Sequence, residues 1–417
     1  MALLGLSSTP ARADEVTKWN DVAARAPLWN DHVYLMTHVA IHDALNTIEP
    51  RYSRYALNAS VAPGASPEAA VATAAYVVLT DQFHRLTGLG FPSLQQVLDD
   101  AYASSIRGVP DGPSKTSGIA VGRAAAAAIV NLRANDGWYE QPLLDFNYPQ
   151  GTAPGEYRFT PPFNFAFAPK LGRMPPFALK SSHQFRPGAP YAIRTMQYTA
   201  DFNEVKNLGG DGVTTPSNRT PEQTEIALFW LEGNSSHILN RIARVVSTSR
   251  SLNLWENARL LALLNLAVGD SYLACWDTKY HYNYWRPITA IREADSDGNP
   301  DTIADKTWTP LVDTPPIPDY DSGHAIAGSA AATVLRNFFG TDNIAFSTCS
   351  ASLPAGSTCN DPFPVKRSFT SFSQAARENG LSRIYVGFHF RKAVEEGIEH
   401  GRKVAEYIFD HYLRPAN

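Results

Sequence analysis

Pro318-Asp-Tyr-Asp-Ser-Gly-His-Ala-Ile-Ala-Gly-Ser-Ala-Ala-Ala-Thr-Val-Leu-Arg-Asn-Phe-Phe-Gly340 carries both a fold signal and a chemical one. Pro315, Pro316 and Pro318 hold the approach extended, because proline fixes φ and pushes its predecessor out of the helical region. From Ala325 to Phe339 good helix formers carry an apolar stripe, and Gly340 reads as a C-terminal stop. Ser322 then falls at the N-cap, with the amides of Gly323 and His324 in the first turn. Those amides lack intrahelical acceptors and the helix dipole adds partial positive charge, so this end suits an anion. His324 at its lip can exchange protons near neutral pH. Taken alone, the same residues also fit an ordinary capped helix with a surface histidine.

The helical period recurs along the chain. Between Asp31 and Ile48, Val33, Met36, Val39, Ala40, Ala44 and Leu45 fall on one face. Similar patterning predicts helices over residues 67–86, 93–106, 114–134, 221–232, 235–247 and 254–280. Strand-like alternation, internal repeats and low-complexity tracts are not evident. The expected fold is all-α: two packed helical bundles with long irregular connecting loops. Residues 136–190 break the pattern with Pro, Phe, Tyr and Gly, including the pairs Tyr148-Pro149, Pro161-Pro162 and Pro175-Pro176. A loop of that length is usually functional, and it reads as a cover shaping a channel mouth. It divides an N-terminal helical layer with its covering loop (14–190) from a C-terminal bundle carrying the oxyanion site (191–417).

With 417 residues and a formal net charge of −4, the chain has no generally basic surface for nucleic acid. No apolar run reaches the roughly 20 residues that span a bilayer; the best candidate, residues 119–132, carries Arg123. A soluble protein without a membrane partner is expected. Residues 1–13 resemble the end of a secretory signal, with Ala11-Arg12-Ala13 as a small-x-small cleavage pattern, although a basic start is missing. Export, to the periplasm or outside the cell, is the favoured reading. Cys349 and Cys359 flank a Ser/Pro/Gly-rich loop that a disulfide can close in an oxidising compartment. Cys275 reads as a packed small hydrophobe. His38 and His42 stand four apart, a spacing that suits zinc, but packed neutral histidines are the commoner outcome. Asp295 to Asp301 looks calcium-like yet lacks EF-hand spacing, so a solvated turn is favoured.

Three short clusters gain meaning together: Lys279-Tyr-His-Tyr-Asn-Tyr-Trp-Arg286-Pro287, Ser322-Gly323-His324, and Ser382-Arg383-Ile-Tyr-Val-Gly-Phe-His389. Lys279, Arg286 and Arg383 can neutralise a multiply charged tetrahedral anion, the arginines with planar forks. Ser322 and the Gly323 amide add neutral donors. His324 and His389 are left for opposite sides of the anion.

This order resembles the Lys-x6-Arg-Pro, Ser-Gly-His, Ser-Arg-x5-His signature of vanadium-dependent haloperoxidases and the type-2 phosphatidic-acid phosphatase superfamily. By motif the resemblance covers about the last third of the chain; the run from His42 to Asn46 and the Ala-rich helix after Gly122 also look like bacterial haloperoxidase relatives. It implies a vanadate cofactor held by Lys279, Arg286, Ser322, Gly323 and Arg383. His389 would bond vanadium and His324 would be the acid–base group. Trp276, one turn before Lys279, matches an aromatic lining the halide pocket, and Ile317 holds a pocket position that is often aromatic or histidine. Two departures stand out. Asp321 replaces the usual proline before Ser-Gly-His, placing a negative charge near an anion site. Ala393 replaces an aspartate four residues after the ligand histidine, so the acceptor that orients His389 must be a backbone carbonyl or another residue such as Glu396.

The expected activity is oxidation of halide by hydrogen peroxide to hypohalous acid. The alternatives are a soluble acid phosphatase, in which His389 forms a phosphohistidine while His324 protonates the leaving oxygen, and a helical protein that binds an oxyanion without turnover. Chain length favours the first. Halide preference, an organic acceptor and a homo-oligomeric state are left open.

Overall fold

In this computed structural model residues 14–25, 31–88, 93–139, 142–232, 235–356 and 358–416 are described; the expected signal remnant at residues 1–13 lies outside them. The described chain is helical. The first layer comprises α1 (Glu15–Ala23), α2 (Asp31–Ile48), α3 (Pro67–Gly88), α4 (Gln95–Arg107) and α5 (Pro113–Leu132). After the long loop come α6 (Met196–Leu208), α7 (Pro221–Phe229), α8 (Ser235–Ser249), α9 (Leu254–Tyr282) and α10 (Pro287–Glu293). The chain then runs through α11 (Gly323–Phe339), α12 (Phe372–Tyr385) and α13 (Arg391–His411). Two short antiparallel pairs accompany them: β1 (Leu144–Asp145) with β2 (Ala166–Phe167), and β3 (Phe346–Cys349) with β4 (Lys366–Phe369).

α9 is the axle. It packs against α2 on one side and against α11 and α13 on the other, and one apolar cluster runs from Val16 to Leu413 through these helices. Asn253 starts it with a reciprocal capping box to Glu256. Its length and composition would suit a membrane span better than residues 119–132 do, but 89% of its most apolar window is buried inside the protein's own core. The α11–α13 contact is very close. A Cβ on Gly401 would lie 2.1 Å from Ile326 O, so only glycine lets the two backbones meet there.

Residues 167–186 are tied to α9. Asp270 of α9 accepts from the amides of Phe177, Ala178 and Leu179 at 2.7, 2.7 and 2.8 Å. Arg186 forks onto Asp277, and Tyr280 Oη donates to Phe167 O. A loop this long stays put because buried acceptors on α9 collect its backbone donors.

Several local expectations are answered here. Cys349 and Cys359 form a disulfide with Cα atoms 5.6 Å apart, and Cys275 is free and buried. His38 Nε2 lies 2.7 Å from Asn20 Nδ2 inside the core, while His42 Nδ1 faces Asp43. In the 295–301 turn, Asp297 accepts from Asn299 N and Thr302 Oγ1 at 2.7 and 2.8 Å, so its oxygens are spent within the turn. Among the described residues no group of three or more metal-ligating side chains gathers.

Candidate active site

The three clusters come together at one end of α11. Lys279, in the last turn of α9 and fully buried, donates to Pro318 O at 2.8 Å and Asp319 O at 2.9 Å. Arg286, the N-cap residue of α10, donates through Nε to Ile317 O at 2.6 Å and through Nη1 to Phe388 O at 2.9 Å. The extended, proline-rich approach to α11 therefore offers its carbonyls to two cations. Arg383, in the last turn of α12, donates to Trp230 O at 3.3 Å and lies 4.9 Å over the Phe388 ring. Its Nε has no partner among the described residues.

His389 is delivered by the bend between α12 and α13. Phe388 N and His389 N both return to Arg383 O, and Gly387 at φ +86° makes the turn. A Cβ on Gly387 would sit 2.6 Å from Gly209 O, so the bend needs glycine for space as well as for φ. His389 Nδ1 lies 2.9 Å from Asp319 Oδ1, and Nε2 lies 3.0 Å from Arg286 Nη1. With Nδ1–H donating to the carboxylate, Nε2 carries the lone pair that arginine addresses. Burial, reinforced by Arg286, Lys279 and Arg383, holds the His389 pKa well below the usual imidazole value. Burial also pushes the Asp319 carboxyl up to about 7, against the pull of Arg286 and Lys279.

Ser322 occupies the N-cap position of α11, but its hydroxyl makes no capping bond and has no partner among the described residues. The helix end is thus left with unpaired donors. Gly323, the first helical residue, faces Tyr272, Cys275 and Trp276 of α9. His324 follows at the lip, partly buried, with Nε2 unpartnered. Burial and Arg383 lower its pKa well below the usual value, while the carbonyls of Trp230 and Glu232 pull it back up.

Both departures from the resembled pattern have a structural answer. Asp321 pairs with α13: its Oδ2 lies 2.9 Å from His400 Nδ1, with both side chains fully buried. The acceptor for His389 is Asp319, neither a backbone carbonyl nor Glu396; Glu396 pairs with Lys392 on α13. Trp276 and Ile317 share one apolar cluster with Phe167, Leu171 and Met174, so both stand beside the cradle under the cover.

Sequence reading missed Asp319, although it stands inside the quoted stretch five residues before His324. Nothing local links it to a histidine 70 residues later. It also missed Asn379, whose Nδ2 donates to His324 O at 3.1 Å and ties α12 to the first turn of α11.

The residues fit a tetrahedral oxyanion. Three buried cations stand with Asp319 as the carboxylate among them, and Ser322 Oγ and Arg383 Nε are donors without acceptors. Uncompensated buried charge is costly, and lysine shows the strain: burial lowers the Lys279 pKa to about 8.

A family model described as the second helical-bundle domain of VCPO matches residues 259–417. A vanadium chloroperoxidase from Curvularia inaequalis is 28% identical over 287 residues, 55% of this chain and 46% of that protein. The chain thus spans about half the length of the curated relative it matches. Among solved structures, the first bacterial vanadium-dependent iodoperoxidase superposes with a TM-score of 0.75 at 23% identity, covering 97% of each chain. A holo-type bacterial vanadium-dependent chloroperoxidase gives 0.73 at 16% identity over 97% of this chain and 98% of that one. These likenesses extend the shared fold to the N-terminal layer and the cover. Over its whole length the chain shares the fold of these bacterial vanadium-dependent peroxidases, and its second bundle matches the VCPO domain model.

Proposed function

We propose that this chain binds vanadate and uses hydrogen peroxide to oxidise halide to hypohalous acid. The observation that carries this reading is the convergence of buried Lys279, Arg286 and Arg383 on unpartnered donors and on a neutral His389 nitrogen. Such a set matches an oxyanion of a metal that also accepts an imidazole ligand.

Lys279, Arg286 and Arg383 would hold the vanadate oxygens, with Ser322 Oγ and the Gly323 amide as neutral donors. His389 Nε2 would be the vanadium ligand. When bound, the group supplies the activation of peroxide. The chain's own work is positioning and proton management. Asp319 fixes the His389 ring and its tautomer. The cations are held by carbonyls before any ligand arrives, so they need no reorganisation. The overall reaction, H2O2 + X⁻ + H⁺ → HOX + H2O, consumes one proton, and His324 Nε2 is the group placed to hold and release it. Trp276 and Ile317 keep bulk water from the same side. The substrates are small molecules, hydrogen peroxide and halide.

The two departures that spoke for a binder without turnover lose their force, since Asp321 is occupied by His400 and Asp319 supplies the missing carboxylate. The phosphatase alternative uses the same cradle and is separated by assay. Metal-stripped protein given orthovanadate, peroxide and bromide is expected to halogenate an indicator dye. Phosphate-ester hydrolysis without vanadate, and no halogenation with it, would favour the phosphatase. The Cys349–Cys359 disulfide suits an oxidising compartment outside the cytoplasm.

A further inference from the structure

The C-terminal end of α7 is gripped from one side and faces the cradle on the other. The last carbonyls of a helix lack intrahelical donors, and a neighbouring loop supplies hydroxyls to two of them. Leu228 O accepts from Ser352 Oγ at 2.9 Å, and Phe229 O accepts from Ser350 Oγ at 3.0 Å. One residue further, Trp230 O accepts from Arg383 Nη1 at 3.3 Å. The carbonyls of Trp230 and Glu232 also face the His324 ring.

The Glu232 side chain, almost fully buried, closes the grip. Arg241 of α8 donates to its two oxygens at 3.1 and 2.7 Å, and the same guanidinium reaches Cys349 O at 3.0 Å. Ala351 N leans on Glu232 Oε2 at 3.4 Å. The gripping loop is closed by the Cys349–Cys359 disulfide and rooted in the β3–β4 hairpin.

We propose that this disulfide-closed loop is a strut for the active site. It fixes the end of α7, and that end in turn fixes the Arg383 guanidinium. Glu232 and Arg241 are its positioning residues. The bond at Trp230 O orients a guanidinium whose Nε is left free for the anion. The cradle readout below rests on the vanadate reading; the backbone readout does not.

Opening the loop by Cys349→Ser with Cys359→Ser tests the strut. Amide hydrogen exchange over residues 227–232 is expected to accelerate in the unliganded protein. Calorimetric titration with orthovanadate should show affinity weakened roughly tenfold, within the range for coupled neighbours. In an Arg383→Ala background the same opening should change affinity by under about twofold, because the residue it acts through is gone. Ser350→Ala with Ser352→Ala keeps the disulfide and should reproduce both effects, which guards against a folding defect in the cysteine variant. Unchanged exchange in both loop variants would overturn the strut. So would an equal loss of affinity with and without Arg383, since that marks a general loosening. If the unaltered protein binds no orthovanadate, the proposed function falls and hydrogen exchange alone decides the strut.

Discussion

Asp319 shows how one carboxylate can set the chemistry of a histidine it does not neighbour in sequence. It is held beside two cations by the proline-rich approach to α11, and it faces His389 across 2.9 Å. With the Nδ1 proton kept there, Nε2 is the atom that the proposed function gives to the metal. Outer partners of ligating histidines typically contribute 10–100-fold in metal affinity. Asp319→Ala is therefore expected to weaken vanadate binding by about that factor in a calorimetric titration, with Asp319→Asn losing less because an acceptor oxygen is kept. Equal affinity in Asp319→Ala and the unaltered protein would remove Asp319 from the site. Asp321, only two residues away, has a different job. Its Oδ2 pairs with His400 and joins the approach of α11 to α13.

At the scale of elements, the close seat of α13 on α11 positions both the Ser322 end and the bend that carries His389. Gly401→Ala puts a methyl 2.1 Å from Ile326 O and must push the helices apart. Overpacking of this kind costs typically 1–3 kcal/mol, so thermal unfolding should move down by several degrees; an unchanged midpoint would show that the contact is looser than described. On the other side of α9, His38 joins α2 to α1 and α8 through Asn20 and Asn240. Burial, with a smaller contribution from Arg244, lowers its pKa to about 3. Between about pH 3 and the unfolded value near 6.5, the unfolded chain binds a proton that the folded chain refuses, so this group's contribution falls as pH drops through that window. The unaltered protein should lose more stability from pH 7 to pH 4 than His38→Asn does, measured by urea unfolding; parallel losses would place the acid sensitivity elsewhere.

The helices that position the site were legible to very different degrees. α2, α3, α9 and α11 carry unbroken apolar faces, and the periodicity places their ends within a few residues. α13 was not picked out because Gly397, His400 and Gly401 interrupt its stripe, the same residues that let it dock so closely. The β3–β4 hairpin was missed because Phe346 to Cys349 is too short for alternation to register. Ser322 stands at the N-cap where the sequence put it, and its hydroxyl makes no capping bond. Cradle residues were readable because charge and spacing are local properties. Their orienting partners were not, because Asp319, Asn379 and Trp230 meet them only through the fold.

Across the whole molecule, the fold holds three cations, two histidines and Asp319 around one site. A first helical layer backs α9, a cover is bolted to its far end, and α11, α12 and α13 close the site from the other side. The central claim is that His389 binds the metal of an oxyanion while His324 handles protons. Parallel orthovanadate titrations of His389→Ala and His324→Ala, read beside peroxide-dependent bromide oxidation, test it most directly. His389→Ala is expected to lose vanadate retention and turnover together. His324→Ala is expected to keep vanadate binding and lose about 10²–10⁴-fold in turnover, the usual worth of acid–base catalysis. Retained vanadate and activity in His389→Ala, with loss of the cofactor in His324→Ala, would contradict the assignment of both histidines.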